Sequence, residues 1–146
     1  MSTIHPAQLL FTDKHPLTAE LDMSFLPVKG NTLEVTLKAP KSFMDRDGIH
    51  VHSGFNTLLL DTVMGSCAIG ELKSPTPIAT IKLTCNHIRK IRIGEQISCL
   101  ATWDGEEHSV AYVRGEIRFG DDQKMASHAI GTFMIGTTGK PLGSDK

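Results

Sequence analysis

Several features that would classify the chain at once are missing. It has three cysteines, Cys67, Cys85 and Cys99, and no C-x-x-C spacing. An odd count without paired spacing argues against a disulfide framework and for reduced thiols. Cys67 falls in an apolar run and reads as a small core residue. Neither charge sign dominates: 15 Lys and Arg stand against 16 Asp and Glu, a formal net charge of −1. That balance calls for neither nucleic acid nor an anionic membrane as partner. No window reaches the ~18–20 apolar residues of a membrane span. Residues 1–16 (MSTIHPAQLLFTDKHP) lack a basic start followed by a useful apolar stretch, so no secretory leader and a cytoplasmic location are expected. The absence of a G-x-S-x-G elbow removes the case for a serine hydrolase. No glycine-rich phosphate cradle is present either.

What is present fits one soluble domain. The length is 146 residues, 40% apolar and 21% charged, ordinary for a globular chain with a real core. The expected division is a single domain over residues 1–136 and a mobile tail over residues 137–146 (TTGKPLGSDK), polar with Gly and Pro. His5–Lys14 carries a weak signal for a short helix. Leu21–Val28 and Leu33–Leu37 read as strands around a Gly30-Asn31 turn, because Leu33, Val35 and Leu37 alternate with polar residues. Four further strands are expected at Pro77–Ile88, Glu95–Trp103, Glu107–Phe119 and Lys124–Ile135, with Asp104-Gly105 as a tight hairpin turn. Hairpin-linked strands imply an antiparallel sheet, and six of them could curl around one helix in an α+β fold.

That helix is predicted from Ser53 to about Gly70. It lies in the run VHSGFNTLLLDTVMGSCAIG, where Asp61 is the only charged residue. Apolar side chains surround the helix on most sides, so it is expected to be enclosed. An unpaired carboxylate removed from water costs several kcal/mol, roughly, unless hydrogen-bonded or protonated. Asp61 is therefore either satisfied locally or put to use.

Three stretches give the chain a likeness. His52-Ser53-Gly54 is followed by Leu60-Asp61 and Gly65. Thr80-Ile81-Lys82-Leu83 precedes His87-Ile88-Arg89-Lys90-Ile91 and Gly94-Glu95. Ala126–Ile135 reads ASHAIGTFMI. In this order and spacing they resemble the hotdog-fold acyl-CoA thioesterases, in the branch of the phenylacetate-pathway (PaaI-like) enzymes, over about residues 20–136. The chain departs from that pattern at three places. Ser53 stands where relatives carry Gly, Arg46 where many carry Asn, and His87 and Lys90 where an aromatic and Pro are usual.

The resemblance implies a hotdog fold, a long helix wrapped by a curved antiparallel six-stranded sheet. It also implies hydrolysis of an acyl-CoA thioester to free acid and CoA, without metal or redox cofactor. Asp61 would attack the carbonyl or activate water; the residues leave a structural acid as the alternative. The backbone N–H of Ser53, with Gly54 as second choice, would bind the oxyanion at the helix start, although Ser53 could simply cap the helix. His52 would position the thioester or its loop; with His50 it forms too small a set for a metal site. Thr80 would face the acid, or be an ordinary strand threonine. Arg89, Lys90 and Arg92 would meet the CoA phosphates, or form a solvated face. Relatives pair as homodimers and often as homotetramers, each site combining His52 and Ser53 of one chain with Asp61 and Thr80 of another. An acyl-CoA binding or sensor protein and a hotdog hydratase or dehydratase are the competing readings.

Overall fold

A computed structural model describes residues 20–136 apart from Val28 and Pro75. The expected His5–Lys14 helix and the tail at 137–146 lie outside these residues. Within them the chain forms β1 (Ser24–Phe25), β2 (Thr32–Lys38), a 3-10 turn (Lys41–Phe43), α1 (Ser53–Glu71), β3 (Ile78–His87), β4 (Gln96–Glu107), β5 (Val110–Phe119) and β6 (Lys124–Ile135). The strands make one antiparallel sheet in the order β1-β2-β4-β5-β6-β3, so the strand that follows the helix crosses to the far edge. α1 packs along the concave face, against β2 to β6. This is the expected α+β architecture.

The seat for the helix is built mostly from small side chains. Leu33, Ala101, Gly115, Ala129 and Cys85 stand opposite one another in a row across β2, β4, β5, β6 and β3. A Cβ on Gly115 would lie 2.7 Å from Met64 Sδ and 3.0 Å from Leu60 Cδ2, and one on Gly131 2.9 Å from Met64 Cε. The missing side chains are thus the space that Met64 occupies. The helix also satisfies its own hydroxyls: Thr62 donates to the Leu58 carbonyl at 2.8 Å, and Ser66 to that of Thr62 at 2.7 Å.

Three expectations are corrected. Asp104-Gly105 is not the hairpin turn. β4 continues to Glu107, with a bulge between Trp103 and Gly105. The two-residue turn is His108-Ser109, with φ of 52° and 62°, the left-handed pair that a primed turn demands. The strand expected over Leu21–Val28 shrinks to Ser24–Phe25. Finally, the helix is not enclosed all round: Thr57, Leu58, Asp61 and Thr62 are only half-buried, because the sheet ends at β3 and leaves this flank uncovered.

The loop into α1 is tied down by its acids. Phe43 packs on Phe55 with ring centroids 4.9 Å apart. Asp47 Oδ1 accepts from the N–H groups of Ile49 at 2.8 Å and His50 at 2.9 Å. The backbone bond from His50, then that from Ile49, then the His50 ring hold the Asp47 carboxyl well below its ordinary 3.8. A lowered folded-state pKa stabilises the fold above the unfolded value, and the benefit is lost as pH falls through the folded one. Asp47→Asn should therefore be less stable to urea at neutral pH, with the gap closing as pH drops below 3.8. Gly115→Val should cost about 1–3 kcal/mol through overpacking. In a urea double-mutant cycle, part of that loss should be recovered by Met64→Ala.

Candidate active site

Asp61 lies on the half-buried flank of α1, next to edge strand β3. Thr80 Oγ1 donates to Asp61 Oδ1 at 2.7 Å. A break in the strand makes this contact possible. The β3–β6 register shifts between Thr80 and Lys82, leaving Ile81 bulged outward and 52% exposed. Strict alternation would put Thr80 on the outer face with Lys82 and Thr84; the extra residue turns it toward the helix. Cys85 stands on the same inner side. Burial raises its thiol above the ordinary value, a Thr57 hydrogen bond opposes this, and the Asp61 charge raises it further. Among the described residues Asp61 forms no ion pair. Among these residues Thr80 is the one side chain that hydrogen-bonds to it.

At the start of α1 the assignments shift by one residue. His52, not Ser53, is the N-cap, and its ring Nδ1 accepts the Gly54 N–H at 2.8 Å. The glycine allows this, since a Cβ there would lie 2.9 Å from Nδ1. The Gly54 amide, the second choice as oxyanion donor, thereby already has an acceptor. The Phe55 N–H goes to the His52 carbonyl at 2.9 Å. The Ser53 N–H has no acceptor among the described residues, so it is the amide left free at the positive end of the helix. Ser53 and Asp61 are eight residues apart on one helix, about 12 Å along its axis at ~1.5 Å per residue.

The basic segment reaches the helix start from the far end of β3. The Ala126 carbonyl accepts the N–H groups of Ile88 at 2.7 Å and Arg89 at 3.1 Å. Arg89 Nη1 donates to the Met125 carbonyl at 2.8 Å. Lys90 Nζ lies 3.2 Å from Asp45 Oδ2 and 3.8 Å from Asp47 Oδ2. Ser53, Asn56, His87, Arg89 and Lys90 line a cleft of about 230 Å³. Arg92 stands outside it, its backbone bridged to His50. The structure thus brings Ser53, Arg89 and Lys90 together, and separately Asp61 and Thr80. His50 Nδ1 meets Asp47 at 2.6 Å while His52 Nδ1 serves the cap. Among the described residues no three His, Cys, Asp or Glu side chains gather as metal ligands. Three larger hollows share no residue with either group: two, about 420 and 400 Å³, lie around Arg114 and Ile130 on the sheet, and one of about 410 Å³ lies at Glu95 and Phe119.

One polar set was missed in the sequence. Asn56 Nδ2 donates to Ser127 Oγ at 2.9 Å, Ser127 Oγ meets His87 Nδ1 at 2.8 Å, and His87 Nε2 meets Thr57 Oγ1 at 3.2 Å. Asn56 is 4% exposed and Ser127 is fully buried. The available signals were an amide inside the apolar run and a histidine where relatives carry an aromatic.

Comparison with known proteins bears on this arrangement. The family model of the Thioesterase superfamily matches residues 48–126, more than half of the chain. A search of curated proteins found no match. Solved structures are similar in fold. A thioesterase from Haemophilus influenzae has 17% identity and a TM-score of 0.78, covering 98% of this chain and 95% of that one. The Escherichia coli PaaI protein from the phenylacetic acid degradation operon has 12% identity and a TM-score of 0.78, covering 95% and 99%. A hypothetical thioesterase with coenzyme A from Streptococcus pneumoniae has 14% identity and a TM-score of 0.70, covering 82% and 88%. The helix seated in a curved sheet is the hotdog fold that these proteins share, and the chain belongs to the Thioesterase superfamily, a thioester hydrolase of PaaI-like architecture.

Proposed function

We propose that the substrate is an acyl-CoA thioester, cleaved to a free acid and CoA with Asp61 as nucleophile or general base. The observation that carries this is the 2.7 Å bond from Thr80 to Asp61 Oδ1. Thr80 spends its hydrogen on the carboxylate, so its oxygen keeps lone pairs for a water, and Asp61 keeps Oδ2 for chemistry. In the base route Asp61 takes a proton from water as the oxygen attacks the carbonyl carbon. The C=O electrons move onto oxygen, where the Ser53 N–H stabilises them. Collapse breaks the C–S bond, and the thiolate leaves with the proton. In the nucleophilic route an Asp61 oxygen attacks, thiolate departs, and water then hydrolyses the anhydride. Both routes need the same two groups and neither metal nor redox cofactor.

Those two groups cannot serve one carbonyl from a single chain, because about 12 Å of helix separates them. A homodimer resolves this by setting the Ser53 end of one α1 against the Asp61 flank of its partner. Edge strand β3 offers unpaired backbone for such pairing, beside half-buried Leu58 and exposed Ile81 and Ile88, which are 52% and 50% exposed. Pairs can combine further into a homotetramer. Arg89 and Lys90 would then meet CoA phosphates at the cleft, with Arg92 farther out and the His52 cap holding the amide end rigid. The free cysteines fit a cytoplasmic site of action.

Asp61→Asn should lower kcat for acyl-CoA by about 10²–10⁴-fold with little change in Tm. Thiol release at the wild-type rate would remove Asp61 from the mechanism. Ser53→Pro deletes the proposed oxyanion donor at the first helical position, where proline is tolerated. Each variant alone should be inactive. Unfolded and refolded together in equal amounts, they should regain about a quarter of wild-type turnover, since random pairing leaves one intact site in half of the dimers. No recovery in confirmed mixed dimers would refute the shared site.

A further inference from the structure

We infer that the Asn56 carboxamide binds substrate, its Oδ1 accepting an amide N–H from the arm that carries the thioester. This rests on the thioester-hydrolase reading and names the part of the substrate held at the start of α1.

Asn56 is 4% exposed, yet its buried Oδ1 has no hydrogen-bond partner among the described residues. Buried carbonyl oxygens in native proteins are almost always paired. The orientation of this one is set by the chain of bonds behind it. Asn56 Nδ2 donates to Ser127 Oγ; with His87 in its Nε2–H tautomer, Ser127 passes its single hydrogen to His87 Nδ1 and His87 Nε2–H donates to Thr57. In that direction every donor atom has an acceptor. Reversing it would turn the amide over and leave both of its hydrogens unmatched. The network therefore presents an acceptor, not a donor, at Asn56.

Asn56 lines the same cleft as Ser53 and Arg89. Ser53 and Asn56 are three residues apart on α1 and so are neighbours on one helix face. A thioester group has no N–H of its own. The pantetheine arm common to coenzyme A and acyl-carrier proteins has one, two methylene groups from the sulfur. That places the amide about one helical turn, ~5.4 Å, from the carbonyl. With the thioester oxygen on the Ser53 N–H, the first amide of the arm reaches Asn56, and Arg89 and Lys90 lie at the same cleft for the phosphate end.

The test compares esters of one acyl group on wild type, Asn56→Leu and Ser127→Ala. The N-acetylcysteamine ester keeps the first amide of the arm and the ethanethiol ester has none. The readout is the ratio of kcat/KM for the first over the second, which cancels any change in folded fraction. Asn56→Leu should lower this ratio about three- to tenfold, mostly through KM. Ser127→Ala should lower it less, because the carboxamide remains but loses its clamp. If Asn56→Leu does not fold, Ser127→Ala still decides. Acyl-CoA and an acyl-carrier protein are run in parallel, and the one with the larger rise in KM is the carrier whose arm is held. An unchanged ratio in both variants, with turnover intact, overturns this inference and leaves the thioester-hydrolase reading standing. Wild-type protein that cleaves none of the esters overturns both.

Discussion

α1 can lie on the sheet only because side chains are missing beneath it. Gly115 and Gly131 leave room for fully buried Met64, and the row from Leu33 through Ala101, Gly115 and Ala129 to Cys85 forms a trough across five strands. Burying a methionine fully contributes about 1.5–3 kcal/mol. It also sets the height and rotation of the helix. With Met64 directed into the trough, Thr57, Leu58 and Asp61 fall on the flank beside β3. The position of the Asp61 carboxylate thus follows from how closely the helix approaches β5 and β6.

On that flank the contact between Thr80 and Asp61 depends on an irregularity. The extra residue at Ile81 reverses the facing of β3 between Lys82 and Thr80, and so brings a hydroxyl to the acid. Bulges commonly re-aim side chains next to active sites. The same bulge lies on the edge strand, where a partner chain would pair. In the proposed reading, the Thr80–Asp61 contact and the pairing of subunits therefore draw on one piece of backbone.

The other end of α1 is organised by hydrogen-bond accounting. His52 accepts the Gly54 N–H, while that of Ser53 has no acceptor among the described residues. The loop acids hold the approach to the helix and share Lys90. Lys90 is thus a charge shared with Asp45 and Asp47, whereas Arg89 is oriented by the Met125 carbonyl and forms no ion pair among the described residues. Behind them Asn56, Ser127 and His87 replace apolar packing with a directed chain of bonds.

Elements governed by local pattern were legible from the residues. The helix begins at Ser53 as expected and ends one residue later than Gly70, and β6 spans Lys124–Ile135 as read. Alternation in β2 gave its buried face, and the lone acid in an uncharged run drew attention to Asp61. The motif likeness pointed to Thr80. Asp104-Gly105 misled because a short-range turn preference yielded to the pairing of longer strands, which moved the turn to His108-Ser109. Other features were out of reach because they join residues distant in sequence. Asn56 and Ser127 are 71 positions apart, His87 and Ser127 are 40, and the facing of Thr80 depends on its register against β6. Side-chain period and local composition act over a few residues, so the chain alone settled which elements form and which acid is unusual. Packing against a trough and pairing at an edge act across the whole domain, so only the fold decided what that acid touches and which amide stays free.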